Sequence, residues 1–175
     1  MLDDIHANPI SAVEEPIVRY ETCSAPSQTT TSLVVRRVSP EDTAAIVELS
    51  SQLGYEISIE AVTERIRTLT ARPASQVAFV ACLNAEVVGW IETVIEHHLQ
   101  SPPHGMITGL VVRDDVRSLG VGKRLCAEVE AWTRSNGIAL LRVTSRMARE
   151  RAHRFYLREG FTQTKTSAVF EKVLA

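Results

Sequence analysis

Aromatic residues are scarce in this chain: Phe, Trp and Tyr together make 5% of its 175 residues. Proteins that grip single-stranded nucleic acid lay bases on aromatic side chains beside a basic groove, and no stretch here interleaves the two. Nucleic acid is therefore not an expected partner. Cysteine is sparse too. Cys23, Cys82 and Cys126 are odd in number and far apart, with no C-x-x-C among them, which excludes a disulfide framework and a thiolate metal site and fits reduced thiols in a cytoplasmic protein. No apolar run approaches the roughly 20 residues that cross a bilayer, and the N-terminus lacks the basic-then-apolar pattern of a leader. Neither membrane contact nor export is expected. An excess of charge of one sign is also missing, since the net charge is −2.

What is present is ordinary in amount and uneven in place. Apolar residues make 45% and charged residues 23%, and 175 residues suffice for one domain with a real core. Residues 1–32 carry five acids (Asp3, Asp4, Glu14, Glu15, Glu21) against Arg19, show no sustained period and end in a Ser/Thr/Pro-rich run. They read as an N-terminal arm, mobile alone or adding Pro16–Tyr20 as a strand to a partner. Residues 33–175 read as the domain. Within it, residues 113–158 hold eleven Lys/Arg against five Asp/Glu, a balance suited to a ligand with several phosphates.

The domain alternates between the two hydrophobic periods. Leu33–Val38 reads as a strand. Ser39, Pro40 and Asp42 then form a helix-start signal, followed by Ala45, Ile46, Leu49 and Leu53 at helical spacing up to Gly54. Ser58 caps a second helix that ends near Pro73. Val77–Leu83 and Val87–Ile95 read as strands joined in a hairpin at 84–86. Ser101–Gly105 reads as a loop and Met106–Val112 as a central strand, followed by a helix carrying Leu125, Val129 and Trp132. After Asn136-Gly137 come a strand over Ile138–Val143, a helix over Ala148–Glu159, and two closing strands at Phe161–Thr164 and Ala168–Val173. The predicted order is β-αα-β-β-β-α-β-α-β-β.

The central strand ends in Arg117-Ser118-Leu119-Gly120-Val121-Gly122-Lys123 at the mouth of a helix. Glycines there let backbone N–H groups crowd around an anion that the helix dipole already favours, and Arg117 and Lys123 add charge. A dinucleotide fingerprint needs a third small residue where Leu125 stands. A P-loop needs glycine at 117 and Ser or Thr at 124, where Arg117 and Arg124 stand. The pattern that remains, R-x-x-G-x-G behind an L-x-V strand, resembles the pyrophosphate loop of the GCN5-related N-acetyltransferases. So does Ala152-His153-Arg154-Phe155-Tyr156-Leu157-Arg158-Glu159-Gly160-Phe161, which is similar to that family's A-H-R-F-Y-x-x-x-G-F segment.

The resemblance covers about residues 33–174 and implies a mixed, mostly antiparallel α/β sheet splayed at its centre, with acetyl-CoA as acyl donor. It implies that Leu110, Val111 and Val112 offer backbone groups to the pantetheine arm, besides making core. Arg117, Ser118, Leu119, Gly120, Val121, Gly122 and Lys123 would hold the pyrophosphate. Ser118 stands where many members have glycine, and Ser145 where many have a cofactor-touching asparagine. Tyr156 would be the general acid that protonates the departing thiolate, because a phenol with a pKa near 10 keeps its proton at neutral pH. Glu92 leads the candidates for the base, ahead of Glu96 on the same strand face and Glu56. Tyr55 and Glu56 fall in the turn that borders the acceptor pocket in the family. Cys126 is expected to pack, not to act as a nucleophile. No metal is expected: His97 and His98 point to opposite faces of a strand, and His104 shows no ligand spacing. The expected partner is a small-molecule primary amine that attacks directly in a ternary complex, and a homodimer is a reasonable assembly. A protein lysine or N-terminal acetyltransferase, or a non-catalytic acyl-CoA-binding module, stays open as an alternative.

Overall fold

A computed structural model describes residues 32–174; the expected arm over residues 1–32 lies almost wholly outside them. The order is β1 (Leu33–Arg37), α1 (Thr43–Ser51), α2 (Ile59–Thr70), β2 (Gln76–Leu83), β3 (Glu86–His98), β4 (Ser101–Val112), α3 (Val121–Ser135), β5 (Leu141–Val143) and α4 (Glu150–Arg158). The five strands form one sheet in chain order. β1 to β4 are antiparallel, and β5 joins β4 in parallel.

The local signals act as expected where they rest on backbone chemistry. Pro40–Asp42 forms a 3-10 turn that leads into α1. The Asp42 carboxylate, 4% exposed, accepts from the Ser39 N–H at 2.8 Å and from both Arg36 terminal nitrogens at 2.7 Å. Burial pushes the Asp42 carboxyl up, but the Arg36 and Ser39 hydrogen bonds outweigh it and hold the group below the usual range. The Ser58 hydroxyl caps α2 by accepting from the Ala61 N–H at 3.2 Å. Asn84 and Ala85, with φ of 51° and 70°, turn β2 into β3 through the left-handed conformation that a two-residue hairpin demands.

Alternating side chains give the sheet two covered faces. On one, Val77, Phe79, Val88, Ile91 and Ile107 meet Leu125, Cys126, Val129 and Trp132 of α3, with Phe155 and Phe161 packed at the margin. On the other, Ala78, Val80, Cys82 and Trp90 meet Val62 and Ile66 of α2 and Ile46 of α1. On this second face the Trp90 ring lies across Gly109. A Cβ at 109 would stand 2.5 Å from Trp90 Cζ3 and 2.6 Å from Cη2, and the ring is held between sheet and helices. Gly109→Ala is expected to cost about 2–3 kcal/mol as overpacking, read as a lowered urea midpoint with unchanged slope.

Three expectations are corrected. Ser101–Gly105 is strand, not loop: β4 begins at Ser101, straight after the turn at Leu99-Gln100. Pro102 and Pro103 are tolerated there because β5 does not reach β4 before Gly105, and proline is admitted where a strand has a free edge. Ile138–Val143 shrinks to the three residues of β5. Phe161–Thr164 and Ala168–Val173 are not strands. Residues 161–174 run without a ladder, since a strand exists only as a pair and the short β5 offers them no partner.

Candidate active site

β5 pairs with β4 only from Gly105 to Ile107. β4 continues through Leu110, Val111 and Val112, which pair with Ile91, Trp90 and Gly89 of β3 on one side and with no strand among the described residues on the other. The sheet therefore opens where β4 runs on past β5, the edge strand of the described sheet. The freed edge of β4 presents N–H and C=O groups in strand register, the arrangement that an extended amide-bearing chain can join. Val111 is 3% exposed, so its side chain makes core while its backbone borders the gap.

At the end of this strand the chain turns through Asp114–Val116 into the mouth of α3. Ser118 and Gly120 both lie in the left-handed region, with φ of 73° and 81°. Nothing stands within 4 Å of where a Cβ of Gly120 would be. The first bond back along the helix runs from the Arg124 N–H to Gly120 O at 3.0 Å, so the amides of Val121, Gly122 and Lys123 precede the ladder and point outward. Val121 is buried while Leu119, Lys123 and Arg124 are exposed. Open room, outward amides and flanking cations fit a pyrophosphate.

Two side chains here are arranged in ways the sequence did not announce. Arg117 donates to Val112 O at 3.3 Å and pairs with Asp114, so it ties the loop to the strand end and carries its own counter-charge. Gly122 makes room for a ring: its missing Cβ would lie 3.1 Å from Phe155 Cε2 and Cζ and 3.7 Å from Val112 Cγ2. That contact seats α4 against both the loop and the end of β4. The signal was present, because Gly122 and Phe155 belong to the two motifs, but no spacing rule joins residues 33 apart.

Seated in this way, α4 carries Tyr156 to the same region. Its ring meets Phe155 edge-on at 5.3 Å and Phe161 at 5.5 Å. Burial pushes the phenol up to about 12, with the Cys126 thiol adding to the rise and the Arg149 guanidinium opposing it. Burial likewise pushes Cys126 up to about 12, and Glu159 and Glu130 add to it. A thiol so protonated is no nucleophile at neutral pH.

The remaining candidates are dispersed. Glu92 follows Trp90 on the face covered by α1 and α2, so it reaches the Tyr156 side only through the gap between β4 and β5. Burial raises its carboxyl above the usual range, with Thr108 and Arg65 partly opposing. Glu96 is engaged by two imidazoles. Ser145 lies half-buried between β5 and α4. Tyr55 and Glu56 are exposed in the α1–α2 turn, and no described contact joins them to the rest. Trp90 was missed as a neighbour of the site; its Nε1 is buried without a partner among the described residues. Two surface hollows, of about 130 and 200 Å³, lie beside α1 and beside α2, and neither is lined by the glycine loop or Tyr156.

Comparison with known proteins agrees with this geometry. The Acetyltransferase (GNAT) family pattern matches residues 44–161. The aminoglycoside N(6')-acetyltransferase type 1 of Stenotrophomonas maltophilia is 31% identical over 145 residues, 80% of this chain and 93% of that protein. The aminoalkylphosphonate N-acetyltransferase of Salmonella typhimurium is 32% identical over 132 residues, 74% of this chain and 85% of its own. The fold superposes on aminoglycoside acetyltransferase AAC(6')-Iy, solved with a bisubstrate CoA analogue. The TM-score is 0.74 at 18% identity, over 82% of this chain and 100% of that one. The chain belongs to the GNAT family, as an N-acetyltransferase that takes its acetyl group from acetyl-CoA.

Proposed function

We propose that the acceptor is the primary amine of a small molecule, and that it attacks the thioester directly while both substrates are bound. The observation that carries this is the junction of an unpaired β4 edge with a glycine-bearing helix mouth, a groove for an extended acyl chain that ends at a phosphate cradle. The backbone of Leu110–Val112 holds the acyl arm and polarises the carbonyl near Val112. Ser118 to Lys123 take the pyrophosphate, with Arg117 fixing the loop and Ser145 flanking the arm. Glu92, directly or through water, accepts the proton of the amine, and Tyr156 protonates sulfur. Tyr55 and Glu56 border the acceptor. The two curated relatives act, by their names, on small amines, which favours that class over a protein lysine.

The buried free thiols of Cys82 and Cys126 suit a reducing, cytoplasmic setting. No helix among the described residues is long and apolar enough to cross a membrane. A homodimer draws support from Val169, Phe170, Val173 and Leu174, all at least 80% exposed.

The test is calorimetric titration with acetyl-CoA. The parent is expected to bind one equivalent, and Gly120→Val, whose branched side chain blocks the approach to the amides, to bind about 10–100-fold more weakly. An acceptor panel follows, with an aminoglycoside, an aminoalkylphosphonate and a lysine-bearing peptide. Turnover of the small amines alone supports the proposal. Turnover of the peptide alone moves the activity to protein acetylation, and cofactor binding with no turnover leaves a non-catalytic module.

A further inference from the structure

The turn end of the β3–β4 hairpin gathers three side chains that the transfer reaction does not need. Glu96 and His98 lie two apart on β3, and His104 stands opposite Glu96 across the hairpin. Glu96 Oε2 is 3.0 Å from His98 Nε2 and 3.3 Å from His104 Nε2, and one ligand atom from each residue lies within 4.8 Å of the other two. We propose that Glu96, His98 and His104 bind a borderline divalent cation of the zinc class.

The spacing suits the ion. Ligands at about 2.0–2.1 Å from a tetrahedral zinc stand about 3.4 Å from one another, and a His₂Glu set with water in the fourth place is one that zinc accepts. The two imidazoles are stacked, with centroids 5.2 Å apart and planes 21° from parallel, so the half-exposed His98 turns out of the stack to aim its in-plane lone pair at the ion that His104 and Glu96 face.

The hydrogen bonds around His104 are compatible with that geometry. His104 is 1% exposed, and its Nδ1 lies 3.4 Å from Pro102 O, an atom that only accepts, so Nδ1 carries the proton. Nε2 then carries the lone pair. Arg142 Nη1, 3.4 Å from that Nε2, can only donate and requires the same tautomer. Yet Glu96 Oε2 faces the same Nε2, so two lone pairs oppose each other at a nearly buried position. Protonating the ring at both nitrogens also satisfies Glu96 once the exposed Arg142 turns into water, so a proton and a metal ion compete for this place. A cation between Glu96 and Nε2 satisfies both lone pairs, and the Nδ1–H to backbone carbonyl bond is the outer contact that orients metal-binding histidines. Arg142 is exposed and has room to swing into water. The half-exposed Glu96 and His98, at 34% and 38%, leave an entry path.

The ion would bind the fold and take no part in the transfer. Val112 lies eight residue steps along β4 from His104, about 26 Å at the usual rise. Its effect is to clamp the turn ends of β3 and β4 to each other, since Glu96 and His98 lie on β3 and His104 on β4.

The experiment uses the full-length protein, free of any histidine tag and dialysed against a chelator. Zinc is titrated by calorimetry, and cobalt by its visible absorption. One zinc per chain is expected, with intense tetrahedral cobalt bands, and a thermal midpoint raised by about 5–10 °C at zinc a hundredfold above its dissociation constant. His98→Ala, at an exposed position that leaves the core intact, should weaken zinc binding at least about tenfold, and His104→Gln should abolish the cobalt spectrum. His97→Ala, on the other face of β3, should change neither. Failure of the folded parent to saturate with one zinc would overturn the proposal, as would equal affinity in His98→Ala. Acetyl-CoA titration of the same samples reads the active site separately, so either proposal can fail alone.

Discussion

Tyr156→Phe should lower kcat on the order of 10²- to 10⁴-fold, with the affinity for acetyl-CoA within about twofold of the parent. The substitution removes one oxygen and keeps the ring, so the edge-on contacts with Phe155 and Phe161 and the seating of α4 survive. On the proposed mechanism, what is lost is the proton donor to the departing sulfur. A phenol pushed up to about 12 by burial looks at first too weak an acid for this work. The donor need not give up its proton fully, however, because a hydrogen bond from the phenol to the sulfur already stabilises the charge that develops as the C–S bond breaks. A Tyr156 at about 12 also stays protonated through the working range, so the parent should show no alkaline loss of rate from this group below about pH 10. Pre-steady-state turnover of a small amine checks the prediction, and an unchanged rate in Tyr156→Phe would remove the residue from the mechanism.

Legibility in the sequence followed the range of each interaction. Helix caps at Ser39 and Ser58, the turn at Asn84-Ala85 and the helix mouth at Gly120 are settled within four or five residues, and local chemistry reads them well. The amphipathic stripe Leu125–Val129–Trp132 is nearly as local, and all three side chains are buried. The family resemblance carried the open gap between β4 and β5, which no periodicity reveals. Failures came wherever an outcome depended on a distant partner. The closing strands had an acceptable pattern but nothing to pair with. Prolines 102 and 103 suggested a loop, because the free edge of β4 becomes visible only once β5 is placed. Adjacent His97 and His98 were passed over because neighbours on a strand alternate between faces. The pair that matters is His98 with His104, and it depends on hairpin register. Phe155 over Gly122 and Trp90 over Gly109 are contacts of the same kind: the glycines were visible, and the rings that need them were not.

The second large effect concerns the base, and it separates two readings of one carboxylate. If Glu92 were a solvated strand-edge acid, Glu92→Gln would leave both rate and stability nearly unchanged. Glu92 is instead held by burial above the usual range, while Glu96, its rival on the same face, is bound to two imidazoles. A base acts only when ionised, so the parent kcat/KM should fall as pH drops through the folded pKa, along an acid limb displaced above that of an ordinary glutamate. Glu92→Gln should lose that limb and lower the neutral-pH rate on the order of 10²- to 10⁴-fold. The stability consequence has a fixed sign. The folded pKa lies above the unfolded one, so the contribution of this group is fully present below the unfolded value of about 4.5 and is lost as pH rises through the folded value. At neutral pH the native protein carries an unfavourably buried charge, which Glu92→Gln removes. The variant should therefore be slower yet more stable than the parent at pH 7, and no more stable near pH 4. Activity and urea midpoints measured on the same samples across that range test both halves. A slower variant with no gain at pH 7 would mean that the carboxylate is not desolvated, and the proton of the amine would then leave through water ordered by another group.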